Sequence, residues 1–116
     1  MTMTANTIIY PVRDLAAAKQ VYTALLGVEP YVDEPYYVGY RVEGQELGLD
    51  PHGFDQGFTG PVPFYDVDDL GAMIASLTAA GATQVAEPRD VGGGMQIARL
   101  ADTDGNVFGL RTAPGQ

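Results

Sequence analysis

The sequence predicts an α+β domain of two tandem βαβββ modules, and three observations carry that prediction. The chain repeats itself. Thr7-Ile8-Ile9-Tyr10-Pro11-Val12-Arg13-Asp14-Leu15 aligns with Val62-Pro63-Phe64-Tyr65-Asp66-Val67-Asp68-Asp69-Leu70 at an offset of 55, and Glu43-Gly44-Gln45-Glu46-Leu47-Gly48-Leu49 aligns with Asp104-Gly105-Asn106-Val107-Phe108-Gly109-Leu110 at an offset of 61. Each copy then runs from an alternating apolar stretch into a helical stretch that opens on Asp and closes on Gly. Finally, 116 residues at 46% hydrophobic and 18% charged make one globular domain, with room for one core or two small pseudo-symmetric ones.

The elements follow in order. Ile8, Tyr10 and Val12, and in the second copy Pro63, Tyr65 and Val67, alternate as a strand with one face on a helix. Asp14 caps the first helix by accepting orphan amide hydrogens of its opening turn, and Asp68 or Asp69 caps the second. Gly27 and Gly81 suit the left-handed position that ends each helix. Val21, Tyr22 and Leu25 form the expected core stripe of the first helix; Met73, Ile74 and Leu77 form that of the second. Three strands complete each copy, about 28–33, 36–42 and 46–50, then 83–87, 95–101 and 106–112. Asp104-Gly105 is a strong hairpin signal and Glu43-Gly44 its weaker counterpart. Module one spans 7–50 and module two 61–112, and the Gly/Pro/Asp-rich 51–60 reads as a linker.

Composition narrows the function. Net charge is −9, shared as three basic and eight acidic residues in 1–55 and three basic and seven acidic in 56–116. Six cations against fifteen carboxylates supply no basic face for nucleic acid or an anionic membrane, whereas the negative excess favours a cationic ligand. No apolar run approaches the roughly 20 residues of a membrane span, and Met1 to Asn6 lack the basic and apolar parts of a secretory leader. Without cysteine there is no disulfide or thiolate site. The expected location is cytoplasmic.

Val12-Arg13-Asp14-Leu15, Val67-Asp68-Asp69-Leu70 and Ala101-Asp102-Thr103-Asp104-Gly105-Asn106-Val107-Phe108-Gly109-Leu110, in register across both copies, resemble the vicinal oxygen chelate superfamily of glyoxalases, bleomycin-resistance proteins and extradiol dioxygenases. The resemblance runs from Thr7 to Arg111. It implies that the sheet of each module curls and that the paired sheets form a cup. It also implies a metal ligand near the start of the first strand and another in the last strand of each module, commonly His or Gln and then Glu. Those positions fall on Thr7, Gly48, Val62 and Gly109. Two glycines and a valine offer no donor and a threonine hydroxyl is weak, so the chain departs from the metal-dependent pattern and no metal or other cofactor is expected.

Asp50, His52 and Asp66 are the residues from which a substitute metal site could be built, although a lone histidine in a Pro/Gly loop is far more often solvated. Asp102-Thr103-Asp104-Gly105-Asn106 is similar to a calcium loop, but Val107 stands where glycine is required and Ala113 where a bidentate Glu belongs. Gly92-Gly93-Gly94 lacks the Lys-Ser/Thr of a phosphate loop. Neither Ser-His-Asp nor a paired acid and base can be assembled, so no catalytic residue is assigned.

With Ile8, Tyr10 and Val12 on the helix, Thr7, Ile9 and Pro11 face the cup, as do Glu46, Gly48 and Asp50 and, in the second copy, Val62, Phe64, Asp66, Val107, Gly109 and Arg111. The third strands are expected to add Tyr36, Val38, Tyr40, Met95, Ile97 and Arg99. The ligand-binding set is therefore Tyr36, Val38, Tyr40, Phe64, Asp66, Met95, Ile97 and Arg99, an apolar aromatic lining with charges at its mouth. The leading reading is a metal-independent binder of a small organic ligand, aromatic or cationic, comparable to proteins that sequester an antibiotic or metabolite. The alternatives are a lyase- or dioxygenase-type enzyme with a non-standard site, and an interaction module with a vestigial cup. Unpaired sheet edges suggest a homodimer.

Overall fold

Local signals set the helices and turns where the repeat predicts them. The computed structural model describes residues 5–112. Met1 to Thr4, most of the segment read for a leader, and Ala113, at the end of the calcium-like loop, lie outside the described residues. By internal contacts the chain divides into two compact units, Asn6–Val62 and a second that takes up the chain from Pro63. Each is a βαβββ module in an α+β fold, as the repeat implied. No helix among the described residues is long and apolar enough to cross a membrane.

Module one comprises β1 (Ala5–Pro11), α1 (Leu15–Leu26), β2 (Val32–Glu34), β3 (Tyr37–Val42) and β4 (Gln45–Asp50). Its strands lie in the order β2-β3-β4-β1, with β1 parallel to β4 and the remaining neighbours antiparallel. The Asp14 carboxylate accepts from the Ala17 amide at 3.0 Å, and Gly27, at φ 73°, closes α1 by donating its N–H to the Thr23 carbonyl. Between β3 and β4, Glu43 and Gly44 both have positive φ (49° and 85°), the signature of a two-residue type I′ hairpin. The 51–60 stretch is a series of turns laid on module one rather than an open tether. Phe58 is buried, and the Arg13 guanidinium stacks 4.0 Å over the Phe54 ring.

Module two comprises β5 (Val62–Asp66), α2 (Leu70–Ala79), β6 (Thr83–Asp90), β7 (Gln96–Ala101) and β8 (Val107–Arg111). Its strands run β5-β8-β7-β6, again with the first and last parallel. Of the two candidate caps, Asp69 takes the role, accepting from the Ala72 amide at 3.0 Å. The Asp102-to-Asn106 turn is tied by the Asp102 carboxylate, which accepts from the Asp104 and Asn106 amides and the Asn106 side chain. Those bonds, the Asn106 side chain first, hold the Asp102 carboxyl below its ordinary pKa.

Each helix covers one face of its own module. Under α1, Val38, Tyr40 and Leu49 are buried with Tyr10, Val12, Leu15, Ala18, Tyr22 and Leu26 against them. Under α2, Val67, Leu70, Ala98, Leu100 and Leu110 are buried with Tyr65, Met73, Ile74, Leu77 and Phe108. The α2 stripe is the expected one. The α1 stripe is not: Val21 and Leu25 are 62% and 70% exposed. The helix rotates to put Tyr22 on Tyr10, with ring centroids 5.0 Å apart, and that aromatic pair outweighs the smaller side chains in choosing the buried face.

Candidate functional site

The face of each sheet turned away from its helix carries the positions that the sequence singled out. In module one the register sets Thr7 opposite Glu46, Ile9 opposite Gly48 and Pro11 opposite Asp50. Leu47 and Leu49 pack under α1, so the alternation of β1 and β4 is the expected one.

Strand β3 is different. Val38 and Tyr40 face the helix and not the open face, at 1% and 0% exposure. Tyr40 lies in the core with its hydroxyl donating to the Lys19 carbonyl at 3.0 Å and 2.8 Å from Thr23 Oγ1. The reason is the hairpin. Its two-residue turn pairs Val42 with Gln45, and therefore Tyr40 with Leu47 and Val38 with Leu49. Directly opposed residues share a face, so Tyr40 follows Leu47 into the core. Tyr36 sits in the turn before β3 and is 63% exposed. The open face instead receives Tyr37, Gly39 and Arg41.

Tyr37 was missed by the sequence reading, and it occupies the place of greatest interest. A Cβ built on Gly48 would lie 2.1 Å from the Tyr37 hydroxyl oxygen, 2.6 Å from its Cζ and 2.8 Å from Ile9 Cδ1. The phenol lies directly on the glycine. Gly39, one strand over, sits beneath Tyr37 and Tyr31, at 3.0 and 3.4 Å from their nearest ring atoms by the same construction. Beside them Glu46 accepts from the Thr7 hydroxyl at 3.3 Å and from Arg41 at 2.9 Å, while Arg41 stacks 4.2 Å over the half-exposed Tyr31 ring.

Module two repeats the device with a different ring. A Cβ on Gly109 would lie 2.3 Å from Phe64 Cδ2 and Cε2, so Phe64 covers Gly109 as Tyr37 covers Gly48. Phe64 is opposite Gly109 in register, Asp66 opposite Arg111, and Arg111 Nε donates to Asp66 at 2.7 Å. On β7, Ile97 and Arg99 are opposite Arg111 and Gly109 and so share their face, whereas Met95 precedes the strand and bonds within the 91–95 turn. Of the eight residues expected to line a ligand site, the structure brings Phe64, Asp66, Ile97 and Arg99 onto one face of module two. Met95 is placed in a turn beside that strand, Tyr36 in a turn of module one, and Val38 and Tyr40 under α1.

The four metal-ligand positions implied by the fold do not fit a metal. Thr7 offers one hydroxyl, already directed at Glu46; Val62 offers nothing; and the space above Gly48 and Gly109 is filled by rings. Among the described residues no three of His, Cys, Asp and Glu converge as a metal group. His52 is exposed, and its amide donates to the Asp50 carboxylate, an ordinary turn contact.

Comparison with known proteins is consistent with this architecture. A family model described as the Glyoxalase/Bleomycin resistance protein/Dioxygenase superfamily matches residues 4–110. Similar solved structures include a superfamily member from Vibrio splendidus 12B01, at TM-score 0.70 and 16% identity over 96% of this chain and 98% of that one. A Streptomyces coelicolor methylmalonyl-CoA epimerase in complex with 2-nitronate-propionyl-CoA matches at TM-score 0.69 and 18% identity, over 99% of this chain and 97% of that one. The Mn(II)-bound glyoxalase from Novosphingobium aromaticivorans matches at TM-score 0.70 and 20% identity, over 98% of this chain and 40% of that one. Identities this low establish a shared fold. A search of curated proteins found no match.

Proposed function

Because the chain belongs to the Glyoxalase/Bleomycin resistance protein/Dioxygenase superfamily, we propose that it is a metal-independent binder of a small organic ligand, of the kind that sequesters an antibiotic or metabolite. One observation carries this reading: both glycines at the family's carboxylate positions lie under aromatic rings, Tyr37 on Gly48 and Phe64 on Gly109. A carboxylate side chain at either position would occupy the volume of the ring, so the chain has exchanged charged donors for aromatic surface. The fold is shared with a manganese-bound glyoxalase and with an epimerase that binds a CoA thioester, so the reading rests on this chain's own residues. Aromatic contact contributes about 0.5–1.5 kcal/mol per ring beyond burial, which suits capture of a planar organic molecule. Tyr31, half-exposed and backed by Arg41, extends that surface.

Protein purified without chelator is expected to carry far less than one equivalent of Mn, Fe, Ni or Zn by elemental analysis. Its melting temperature is expected to rise with at least one compound of a metabolite and antibiotic panel in metal-free buffer. About one equivalent of bound metal, or stabilisation that requires added metal, overturns the proposal.

A further inference from the structure

The open face of module one is built unlike an ordinary wet sheet face. A sheet with a helix on one side commonly turns polar residues to the other. Here α1 lies on one side, and the register puts Ile9, Tyr37 and Gly39 on the other, with Arg41 and Glu46 beyond them. The 51–60 turns meet this face at its Pro11 end, where a Cβ built on Gly53 would lie 2.6 Å from Pro11 Cβ. The opposite end belongs to two rings. Gly39 and Gly48 are directly opposed on β3 and β4, and neither has a positive φ. A Cβ on Gly48 would meet the Tyr37 hydroxyl, and one on Gly39 would meet Cε2 of the same ring at 3.0 Å. Tyr37 therefore lies across the glycine pair, laid against backbone where side chains would otherwise hold it off. Gly39 carries the Tyr31 ring as well, at 3.4 Å by the same construction. Glycines inside a strand weaken the sheet and mark places where something approaches the backbone closely.

Tyr31 is held from three directions. Its N–H donates to the Gly39 carbonyl at 2.9 Å, its ring edge lies on Gly39, and the Arg41 guanidinium stacks over the ring. Arg41 is held in turn, its Nε and Nη2 donating to Glu46 at 3.3 and 2.9 Å, while the buried Thr7 donates to the same carboxylate. Both groups nevertheless stay open to solvent, Tyr31 half-exposed and the Arg41 side chain 58% exposed. With Tyr31 under one face of the guanidinium and Glu46 along its edge, that exposure lies chiefly on its outer face. An exposed ion pair adds little to stability. A flat surface ordered before binding, by contrast, is what a planar ligand gains from. The surrounding charge narrows that ligand. Arg41 and Glu46 offset each other. Glu34 is opposite Tyr37 and shares its face, and Asp50, roughly 13 Å along β4 from Glu46, accepts from the His52 amide. An anion would meet Glu34 and a net charge of −9, and a cation would have to stack on a guanidinium of its own sign. An uncharged ring meets neither penalty.

We propose that Tyr31, Tyr37 and the Arg41–Glu46 pair form a stacking platform on the open face of module one for an uncharged, planar aromatic group of the ligand. This deepens the binder reading above and rests on it. It narrows the expected ligand from aromatic or cationic to aromatic and neutral. The guanidinium is suited to the task because it is planar, weakly hydrated and stacks on ring faces.

The chain has no tryptophan, so the fluorescence of added indole can be excited beyond tyrosine absorption without background. Indole titrated with the full chain in metal-free buffer is expected to saturate, and to be displaced by phenol but not by its non-aromatic counterpart cyclohexanol. It is expected to shift the Arg41 Nε–Hε signal and to leave that of Arg13, which stacks on Phe54, in place. Tyr31→Leu keeps an apolar side chain without the ring, and Arg41→Lys keeps the charge without the plane. Each is expected to weaken indole binding on the order of fivefold per folded molecule, with the folded fraction read from melting curves. No saturable binding, displacement by cyclohexanol as readily as by phenol, or unchanged affinity in either variant overturns the platform. Indole-3-carboxylate binding more tightly than indole overturns it too, since the ligand group is then anionic. Loss of self-association in Tyr31→Leu, with no indole bound to the parent chain, gives the face to a second copy and also overturns it. Those outcomes leave the metal-independent binder intact. About one equivalent of metal in the same preparation overturns the binder reading instead.

Discussion

Gly48 and Gly109 show how much a single missing side chain can decide. Neither has a positive φ, so neither is glycine for backbone reasons; each is glycine because a ring lies on it. Gly109→Ala is expected to cost about 1–3 kcal/mol in denaturant unfolding, the usual penalty of overpacking. Gly48→Ala should cost less, because the atoms it meets are the outer end of the partly exposed Tyr37 side chain, whereas at Gly109 they reach back to Cγ of Phe64, which is 6% exposed. In a Phe64→Ala background the cost of Gly109→Ala should largely vanish, a coupling that a double-mutant cycle measures. The absence of metal donors at these positions was legible in the sequence, but the rings above them were not, since Tyr37 reaches Gly48 only through the β3–β4 register. Tyr40 is the opposite case. Tyr40→Ala is expected to lose about 3–5 kcal/mol as a core truncation, and Tyr40→Phe about 1 kcal/mol for its hydroxyl bonds to Lys19 and Thr23. Ligand affinity per folded molecule should stay unchanged in Tyr40→Phe, measured by calorimetry.

Individual elements differ in how much of their placement is local. Both helix starts and the Glu43-Gly44 hairpin follow from side chains a few residues apart, and both formed where the chain predicts them. The buried face of α1 did not follow. Nine of the twelve residues in LAAAKQVYTALL are apolar, so the stripe through Leu15, Ala18, Tyr22 and Leu26 competes with one through Val21 and Leu25 on nearly equal terms. The Tyr10 ring on β1 breaks the tie. Val21→Lys and Leu25→Lys are therefore expected to change stability by no more than about 0.5 kcal/mol, as surface substitutions do. Leu26→Ala, on the packed side, should cost about 2 kcal/mol by thermal or denaturant melting. The eight-residue β6 is longer than the sequence suggested and carries Pro88 and two register shifts, devices that discourage a bare edge from pairing with another chain.

For the molecule as a whole, homodimerisation is a proposal with a direct test: light scattering at tens of micromolar is expected to give twice the chain mass, and a species of one chain alone would refute it. The bulged β6 and the three-residue β2 offer little edge for strand addition. Net charge belongs to the same scale. A value of −9 is a sum over the chain, and it conceals three arginines on one face of module two. The sequence by itself determined the two-module plan, the caps, the tight turns and the superfamily, because each depends on short-range hydrogen bonds or on a pattern repeated along the chain. It also contained the parity of β3, since a two-residue turn at Glu43-Gly44 forces Tyr40 opposite Leu47. Only the tertiary structure decided which ring covers each glycine, which side of α1 is buried, and that a register shift in β6 sets Arg89 opposite Ile97. Those outcomes depend on pairing register and packing between distant residues, where one inserted residue reverses the face of everything beyond it.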